Sequence, residues 1–336
     1  MFGVIIIHTS ADVITEWGRF PDSWWWAANL YDSLVRGCVP VFVMLSGALL
    51  LGKQEDYKSF FLKRFQRIAI PFAAWILIYL IWKKLFIQTD LTFPEAMSQA
   101  AGDRVHFHLW FLYMITGLYL ITPVIRIVTQ HASRLDLSWF LALWFTVSSL
   151  LPFVEKAVPL LGGPEINIAL PIPSVEGFVG YFLLGHFLHR YSKPSWIIAA
   201  AGFWLGSLLF CISGTFSFTA RLHSYQKLFY ENLAPNVVLY TASFFVLLKH
   251  LKVTQGESFS PLLKNLVLNL SRASFGIYLV HPIILEALAS GRWGGLVVKP
   301  DTDHPFIMIA ICSLAIYLLS FAIIALLQRT PLKRIV

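Results

Sequence analysis

The run VPVFVMLSGALLLGK occupies residues 39–53, is almost wholly apolar and ends in a lysine. It belongs to an apolar segment, residues 31–52, about as long as the roughly 20 residues that a helix needs to cross a bilayer core of about 30 Å. Similar segments lie at residues 67–87, 107–128, 136–154, 174–190, 195–212, 233–251, 270–290 and 304–327. Residues 2–15 form a tenth, which is too short to span. The pattern predicts an all-α fold, a polytopic integral membrane bundle of about ten transmembrane helices.

The composition points to the same class of protein. Of the 336 residues, 57% are hydrophobic and 13% are charged, whereas a soluble domain is about half apolar and about a quarter charged. The three cysteines, Cys38, Cys211 and Cys312, lie far apart inside apolar segments, so they indicate neither a disulfide framework nor a zinc site. We therefore expect one transmembrane domain over residues 1–336, without a metal ion.

The distribution of charge predicts the orientation. If the first segment starts in the cytoplasm, the loops and C-terminus on that side hold 16 of the 26 basic residues and only 4 of the 18 acidic ones. Cytoplasmic loops of membrane proteins carry such an excess of lysine and arginine. We expect a multi-pass protein of the bacterial cytoplasmic (inner) membrane with both termini in the cytoplasm. The net charge of +8 then reflects topology and contact with membrane lipids, and no nucleic-acid partner is expected.

The first apolar segment is short and lacks a basic flank. A segment of about 14 residues does not cross a bilayer. We therefore expect its helix to be truncated at the N-terminus, with the natural start upstream of Met1. A cleaved signal peptide is the alternative, although its cleavage site would be weak and its basic n-region is absent.

An imidazole lies inside this segment, in the stretch VIIIHTSAD at residues 4–12. Ionisable groups within a membrane are costly and mark functional sites by default, which makes His8 a candidate catalytic residue. Asp12 follows one helical turn later, where its carboxylate could orient the imidazole. The alternative is a packed structural histidine beside an interfacial aspartate.

Two arginines enter the next predicted span, in SFFLKRFQRIAIP at residues 59–71. Arg64 and Arg67 are three residues apart, which would place them on one face of a regular helix. Guanidinium groups bind phosphates by paired hydrogen bonds, so both arginines are candidates for binding a phosphorylated cofactor. The alternative is ordinary anchoring to anionic lipid.

Two further stretches place histidines near or inside predicted spans. In RVHFHLWFLYMITGLYLITPVIR, residues 104–126, His108 and Trp110 lie at the outer end of a span, where a polar acceptor could dock. They could equally be a belt histidine and an aromatic anchor. In SRASFGIYLVHPIILEAL, residues 271–288, His281 precedes a proline and lies about 16 Å into its span. Such a histidine must be hydrogen-bonded or line a cavity.

Taken together, VIIIHTS, VPVFVMLSGALLLGK with its Ser46, the paired Arg64 and Arg67, HLWFLY and SFGIYLVHP resemble the acyltransferase 3 family of bacterial membrane O-acyltransferases. The similarity covers essentially the whole chain. It is nearest to the branch that O-acetylates enterobacterial common antigen and similar surface polysaccharides.

The resemblance implies about ten helices, acetyl-CoA or another cytoplasmic acyl-CoA as donor substrate, and a polysaccharide or lipid-linked glycan as acceptor. The family's first-span histidine falls on His8, and its arginines after the second span fall on Arg64 and Arg67. One departure is clear: the family's basic residue eleven positions before that histidine would precede Met1.

As a hypothesis, His8 is the base that takes the proton of the acceptor hydroxyl, or alternatively a transient acyl carrier. Arg64 and Arg67 would hold the coenzyme's phosphates, while Ser46, His108, Trp110 and His281 would line the substrate cavity. A transporter or flippase of a glycan or lipid intermediate is the main alternative function, because polar intramembrane groups and proline-broken spans are also typical of transporters. A membrane sensor or assembly factor without catalysis is a third.

Overall fold

The computed structural model describes residues 1–167, 177–251, 260–292 and 294–336. All regular structure in these ranges is helical, which confirms the predicted all-α membrane bundle. The α-helices are α1 Phe2–Ile14, α2 Asp22–Val35, α3 Cys38–Leu50, α4 Tyr57–Arg64, α5 Ile70–Phe86, α6 Phe93–Ala101, α7 Trp110–His131, α8 Arg134–Phe145, α9 Leu151–Leu160, α10 Val179–Tyr191, α11 Ile197–Leu222, α12 Pro235–His250, α13 Pro261–Ala289 and α14 Pro305–Leu327.

Eight helical stretches in the described parts of the chain are long and apolar enough to cross a membrane. They are Asp22–Leu50, Tyr57–Phe86, Trp110–His131, Arg134–Leu160, Pro194–Leu222, Leu228–His250, Lys264–Ala289 and Pro305–Leu327. The short first segment is the apolar helix α1. The predicted span at 174–190 begins outside the described residues, and its described remainder contains α10. The protein is a multi-pass membrane protein.

The first long stretch is broken in the middle. α2 ends at Val35 and α3 begins at Cys38, where the sequence pattern had indicated one continuous span. Pro40 explains the break, because its ring nitrogen cannot donate to the carbonyl four residues earlier, that of Arg36. Just before the break, the hydroxyl of Tyr240 donates to the carbonyl of Leu34 at 2.5 Å. The break positions Arg36 inside the bundle.

Two other helices contain a wider π-helical turn. Residues Phe65–Ala69 join α4 to α5, and residues Thr146–Leu150 join α8 to α9. A π-turn adds a residue to the helical repeat, so side chains three or four positions apart across it no longer share a face. The first of these turns begins directly after Arg64 and contains Arg67, the two arginines singled out in the sequence.

Close backbone contact between α3 and α10 forms the centre of the bundle. Gly47 on α3 lies against the backbone of Phe182, and Gly185 on α10 lies against the backbone of Met44. Lipid tails are as apolar as leucine, so membrane helices gain stability from tight packing at small residues. Met44 and Phe182 are both fully buried beside these glycines. The pair α3–α10 therefore fixes one wall of the bundle on which the cavity depends.

A methyl group at Gly185 would overlap the main chain of Met44, which cannot move aside as a flexible side chain can. We expect Gly185→Ala to lower the free energy of unfolding by about 1–3 kcal/mol through overpacking. Thermal unfolding of the purified protein in detergent measures the change. Gly202→Ala is the matched control, because nothing lies within 4 Å of that position on α11. Equal stability of the two variants would contradict the packing of α3 on α10.

Candidate active site

A cavity of about 440 Å³ lies among α1, α3, α7 and α13. Four of the side chains predicted from the sequence line it: His8 from α1, Ser46 from α3, and His108 and Trp110 at the start of α7. The fifth, His281 of α13, is fully buried and stacks on the ring of His8 with centroids 5.4 Å apart. Chain segments far apart in sequence therefore meet at one polar site.

His8 is held by ring contacts rather than by hydrogen bonds. Its ring centroid lies 4.7 Å from that of Phe107 in an edge contact, and the ring stacks on that of His281. Within the described chain, its nitrogens make no hydrogen bond to protein. The next two residues anchor the helix: Thr9 bonds to Ser313 of α14 at 2.7 Å, and Ser10 donates to Asp32 at 3.3 Å. His8 is thus oriented, with its polar atoms left for a ligand.

Asp12 lies away from this site. It is exposed and is not among the residues that line the cavity. Among the described residues it makes no hydrogen bond to His8. The predicted pairing of Asp12 with the imidazole has no contact in the structure to support it.

His281 owes its orientation to the proline that follows it. Pro282 has no N–H, so the carbonyl of Tyr278 lacks its usual helical donor. Nδ1 of His281 donates to that carbonyl at 2.7 Å. A carbonyl only accepts, so the proton of the neutral ring is on Nδ1 and Nε2 carries a lone pair. That buried Nε2 has no partner in the described structure. One ring nitrogen of His281 is therefore hydrogen-bonded within its helix, and the other is a free hydrogen-bond acceptor.

Three residues next to these histidines were not predicted from the sequence. Nδ1 of His106 is 3.0 Å from Nδ1 of His108, and Nε2 of His106 is 2.9 Å from Oε1 of Glu286. The other oxygen of Glu286 accepts a hydrogen bond from the indole of Trp82 at 2.6 Å. Two signals could have found two of them: His106 is a second histidine two positions before His108, and Glu286 is a carboxylate five positions after His281 in an apolar span.

A buried ion pair was also missed. Asp32 and Arg36, four residues apart around the break between α2 and α3, form a hydrogen-bonded ion pair whose carboxylate is only 2% exposed. Arg36 also donates to the carbonyl of Tyr230 at 3.2 Å and lines the cavity beside His8. The sequence YDSLVR at residues 31–36 contained the signal for this pair: an acidic and a basic residue lie one helical turn apart inside an apolar segment. The pair brings a fixed positive charge to the edge of the cavity.

A second cavity, of about 810 Å³, adjoins the first. Four basic side chains line it: Arg67 of the π-turn, Arg272 of α13, and Lys333 and Arg334 near the C-terminus. None of the four forms an ion pair with a carboxylate within the described residues. Ile68 and Phe275 line both this basic pocket and the histidine cavity, so the two spaces share a wall. The arrangement offers uncompensated positive charge next to a polar, histidine-lined space.

The structure separates the two predicted phosphate-binding arginines. Arg67 lines the basic pocket, whereas Arg64 lies 3.5 Å from Glu55 and stacks over Phe60 at 4.3 Å. Arg126 of α7 covers the same ring at 4.6 Å. The intervening π-turn rotates the two arginines off a common face. Arg64 is therefore placed in a cluster that holds the segment before α4, and Arg67 in the pocket.

Among the residues that the structure describes, no group of three or more His, Cys, Asp or Glu side chains is arranged to hold a metal ion. What the fold and site define is a multi-pass membrane protein with a basic pocket beside a histidine-lined cavity. The model of the acyltransferase domain family, acyltransferase 3, matches residues 1–326, and the chain belongs to this family. No curated protein and no solved structure matches the chain.

This family membership makes the protein a membrane acyltransferase, as the resemblance in the sequence indicated. The narrower branch that O-acetylates enterobacterial common antigen and related polysaccharides stays a prediction. The roles of the individual site residues likewise stay predictions, now with a geometry attached to each.

Removing the carboxylate of Asp32 would leave Arg36 charged and without its main partner inside the bundle. Breaking a buried ion pair on one side typically costs about 3–5 kcal/mol, so we expect Asp32→Asn to lower the free energy of unfolding by an amount of that order. Thermal unfolding in detergent is again the measurement. Glu16→Gln is the matched control, because its pair with Arg19 is exposed and such pairs contribute about 0–1 kcal/mol. Similar losses in both variants would contradict the structural role of the buried pair.

Proposed function

We propose that this protein transfers an acyl group, acetyl in the first instance, from acyl-CoA to a hydroxyl of a cell-surface polysaccharide or a lipid-linked glycan. The observation that supports this most is the shared wall between the basic pocket and the histidine cavity. A donor with several phosphates at one end and a thioester at the other needs both kinds of space side by side.

The basic pocket suits the coenzyme end of the donor. Arg67, Arg272, Lys333 and Arg334 provide four positive charges, none of which forms an ion pair with a carboxylate among the described residues. Hydrogen bonds from arginine and lysine to phosphate are among the stronger ones in proteins. In this proposal Arg67 binds a phosphate directly, while Arg64 supports the pocket through the cluster with Glu55 and Phe60.

The histidine cavity suits the reacting groups. Acyl transfer to an alcohol needs an acceptor for the hydroxyl proton, a held thioester and stabilisation of the negative charge that develops on the carbonyl oxygen. His8, with no protein hydrogen bond at its nitrogens in the described chain, is available as a base or as a transient acyl carrier. Arg36 and Ser46 line the same cavity and offer donors towards the carbonyl oxygen. Trp110 and His108 contribute the wall near the start of α7.

The location of the enzyme follows from where its two substrates are found. Acyl-CoA is a cytoplasmic compound, and we place the basic pocket on the cytoplasmic side of the bacterial inner membrane, in keeping with the positive-inside rule. The glycan then reaches the histidine cavity from the membrane or from the outer side. Membrane lipids surround the bundle, and the coenzyme does not need to cross it.

The loss of His8 should abolish most of the transfer. We expect His8→Ala to lower the rate by about 10²–10⁴-fold, the usual contribution of a catalytic imidazole. Inverted membrane vesicles supplied with radiolabelled acetyl-CoA, followed by counting of label in the glycan fraction, give the rate. His131→Ala, at an exposed histidine at the end of α7, is the control and should retain the full rate. Full activity of His8→Ala would contradict the assignment, and glycan movement without label in the wild type would favour a transporter.

The basic pocket makes a separate prediction about the donor. Arg67→Ala and Arg272→Ala should each raise the KM for acetyl-CoA by about tenfold or more, because a charged hydrogen bond to phosphate contributes about 1.5–3 kcal/mol. Acetyl-pantetheine lacks the phosphates of the coenzyme's nucleotide, so its KM should be unchanged in both variants. Arg190→Ala, at an exposed arginine outside the pocket, is the control. Equal effects on both donors would show that the pocket does not bind phosphate.

A further inference from the structure

A chain of hydrogen bonds runs from the outer part of α13 to the histidine cavity. Its members are Trp82, Glu286, His106 and His108, joined at 2.6, 2.9 and 3.0 Å in that order. The first two distances belong to the two separate oxygens of one carboxylate. The last residue, His108, lines the cavity. No role in the sequence analysis or in the proposed function accounts for Glu286 or His106.

The donors and acceptors along this chain are fixed by chemistry. An indole N–H only donates and an ionised carboxylate only accepts, so Nε2 of His106 carries the proton that faces Glu286. When the His106 ring is neutral, its Nδ1 must then accept from Nδ1–H of His108. The remaining nitrogen of His108, Nε2, is left with a lone pair. That atom is buried and has no partner in the described structure.

Such a chain can take up a proton at one end and hold the charge at the other. If Nε2 of His108 accepts a proton, the proton on its Nδ1 can pass to Nδ1 of His106. The positive charge then lies on His106, directly against the carboxylate of Glu286, and all the hydrogen bonds are kept. An imidazolium of His8 would instead form beside Arg36, a like charge, with no carboxylate in contact with it.

We propose that Glu286, His106 and His108 form a proton-accepting relay for the acceptor hydroxyl, with His108 as a further catalytic residue and Glu286 and His106 as positioning residues. This rests on the proposed function. In the transfer step the O–H bond of the hydroxyl breaks and its proton goes to Nε2 of His108. The hydroxyl oxygen bonds to the thioester carbonyl carbon, and the C–S bond breaks. The departing thiolate takes the proton back from the relay, which returns to its starting state.

In this scheme the acyl group passes directly from the thioester to the hydroxyl, so His8 lies on the acyl side of the cavity and is not an acyl carrier. His8 and His108 both lie against the ring of His281, at 5.4 and 5.6 Å between centroids. The two groups therefore flank one small space, with the acyl side at His8 and the hydroxyl side at His108.

The test compares two variants at the same carboxylate. Glu286→Gln keeps the size of the side chain but removes the charge that stabilises the protonated relay, so kcat should fall by about 10²-fold or more while the KM for acetyl-CoA stays unchanged. Trp82→Phe is the matched control. It removes the other hydrogen bond of Glu286 but leaves its charge, so kcat should stay within a few-fold of wild type. Both are measured by transfer of label from acetyl-CoA to glycan in inverted vesicles.

The pH profile separates catalysis from structural damage. A base must be unprotonated to work, so the rate falls on the acidic side of the profile. Without the negative charge of Glu286, proton uptake by the relay becomes harder, and the acidic limb of kcat should move to lower pH by about one unit or more. Damage to the fold alone would lower kcat without moving the limb. The titratable or charged groups facing the relay are His8, Tyr79, Tyr278, His281 and, next to Glu286, Arg292.

Each result bears on the relay or on the function beneath it. A wild type that transfers no label to glycan would overturn the proposed function before any variant is compared. A wild type that transfers label, with Glu286→Gln at full rate and an unmoved acidic limb, would overturn the relay alone. If Glu286→Gln does not fold, His106→Gln provides the same comparison, because it removes the ring that holds the charge and keeps an amide in its place.

Discussion

A backbone donor that is missing inside the membrane has to be replaced by a side chain, since no water is available to take its place. Two prolines interrupt the helices beside the polar site, and at Pro282 a histidine takes the place of the missing donor. Pro282 frees the carbonyl that orients His281. Pro40 breaks the long helix where Arg36 enters the bundle, with Tyr240 bonded to a carbonyl before the break. A bundle of unbroken helices would leave neither the imidazole nor the guanidinium fixed where it lies.

The charges of the protein are distributed in two ways that serve different ends. Most polar groups of the histidine cavity are neutral or paired, as the cost of burial requires, and Asp32 balances Arg36. In the adjoining pocket around Arg67 the charges are not paired, because its basic side chains form no ion pairs with carboxylates among the described residues. An excess of one charge is tolerable only near water or beside an anionic ligand. The boundary between the two spaces, at Ile68 and Phe275, is therefore where a phosphorylated donor and an apolar environment can meet.

Several features of the site were within reach of the sequence because they depend on which residues are rare in a membrane. His8, His108 and His281 stood out as costly groups in apolar runs, and the structure gathers them around one cavity. Pairings were harder to predict. Asp12 is correctly spaced for a helical contact with His8, yet among the described residues it makes no hydrogen bond to the imidazole and does not line the cavity. The actual hydrogen-bond partner of His108 is His106, which the spacing alone gave no reason to prefer.

The sequence by itself determined that the chain is a bundle of membrane helices, because the length and apolarity of a segment decide whether it can cross a bilayer. It also determined the family, through motifs that keep their order along the chain. Only the tertiary structure decided which polar groups touch. A π-turn moved Arg64 and Arg67 onto different surfaces, and Glu286 came within reach of His106 although 180 residues separate them. Contacts of this kind depend on how helices rotate and pack against one another, which no local pattern of residues specifies.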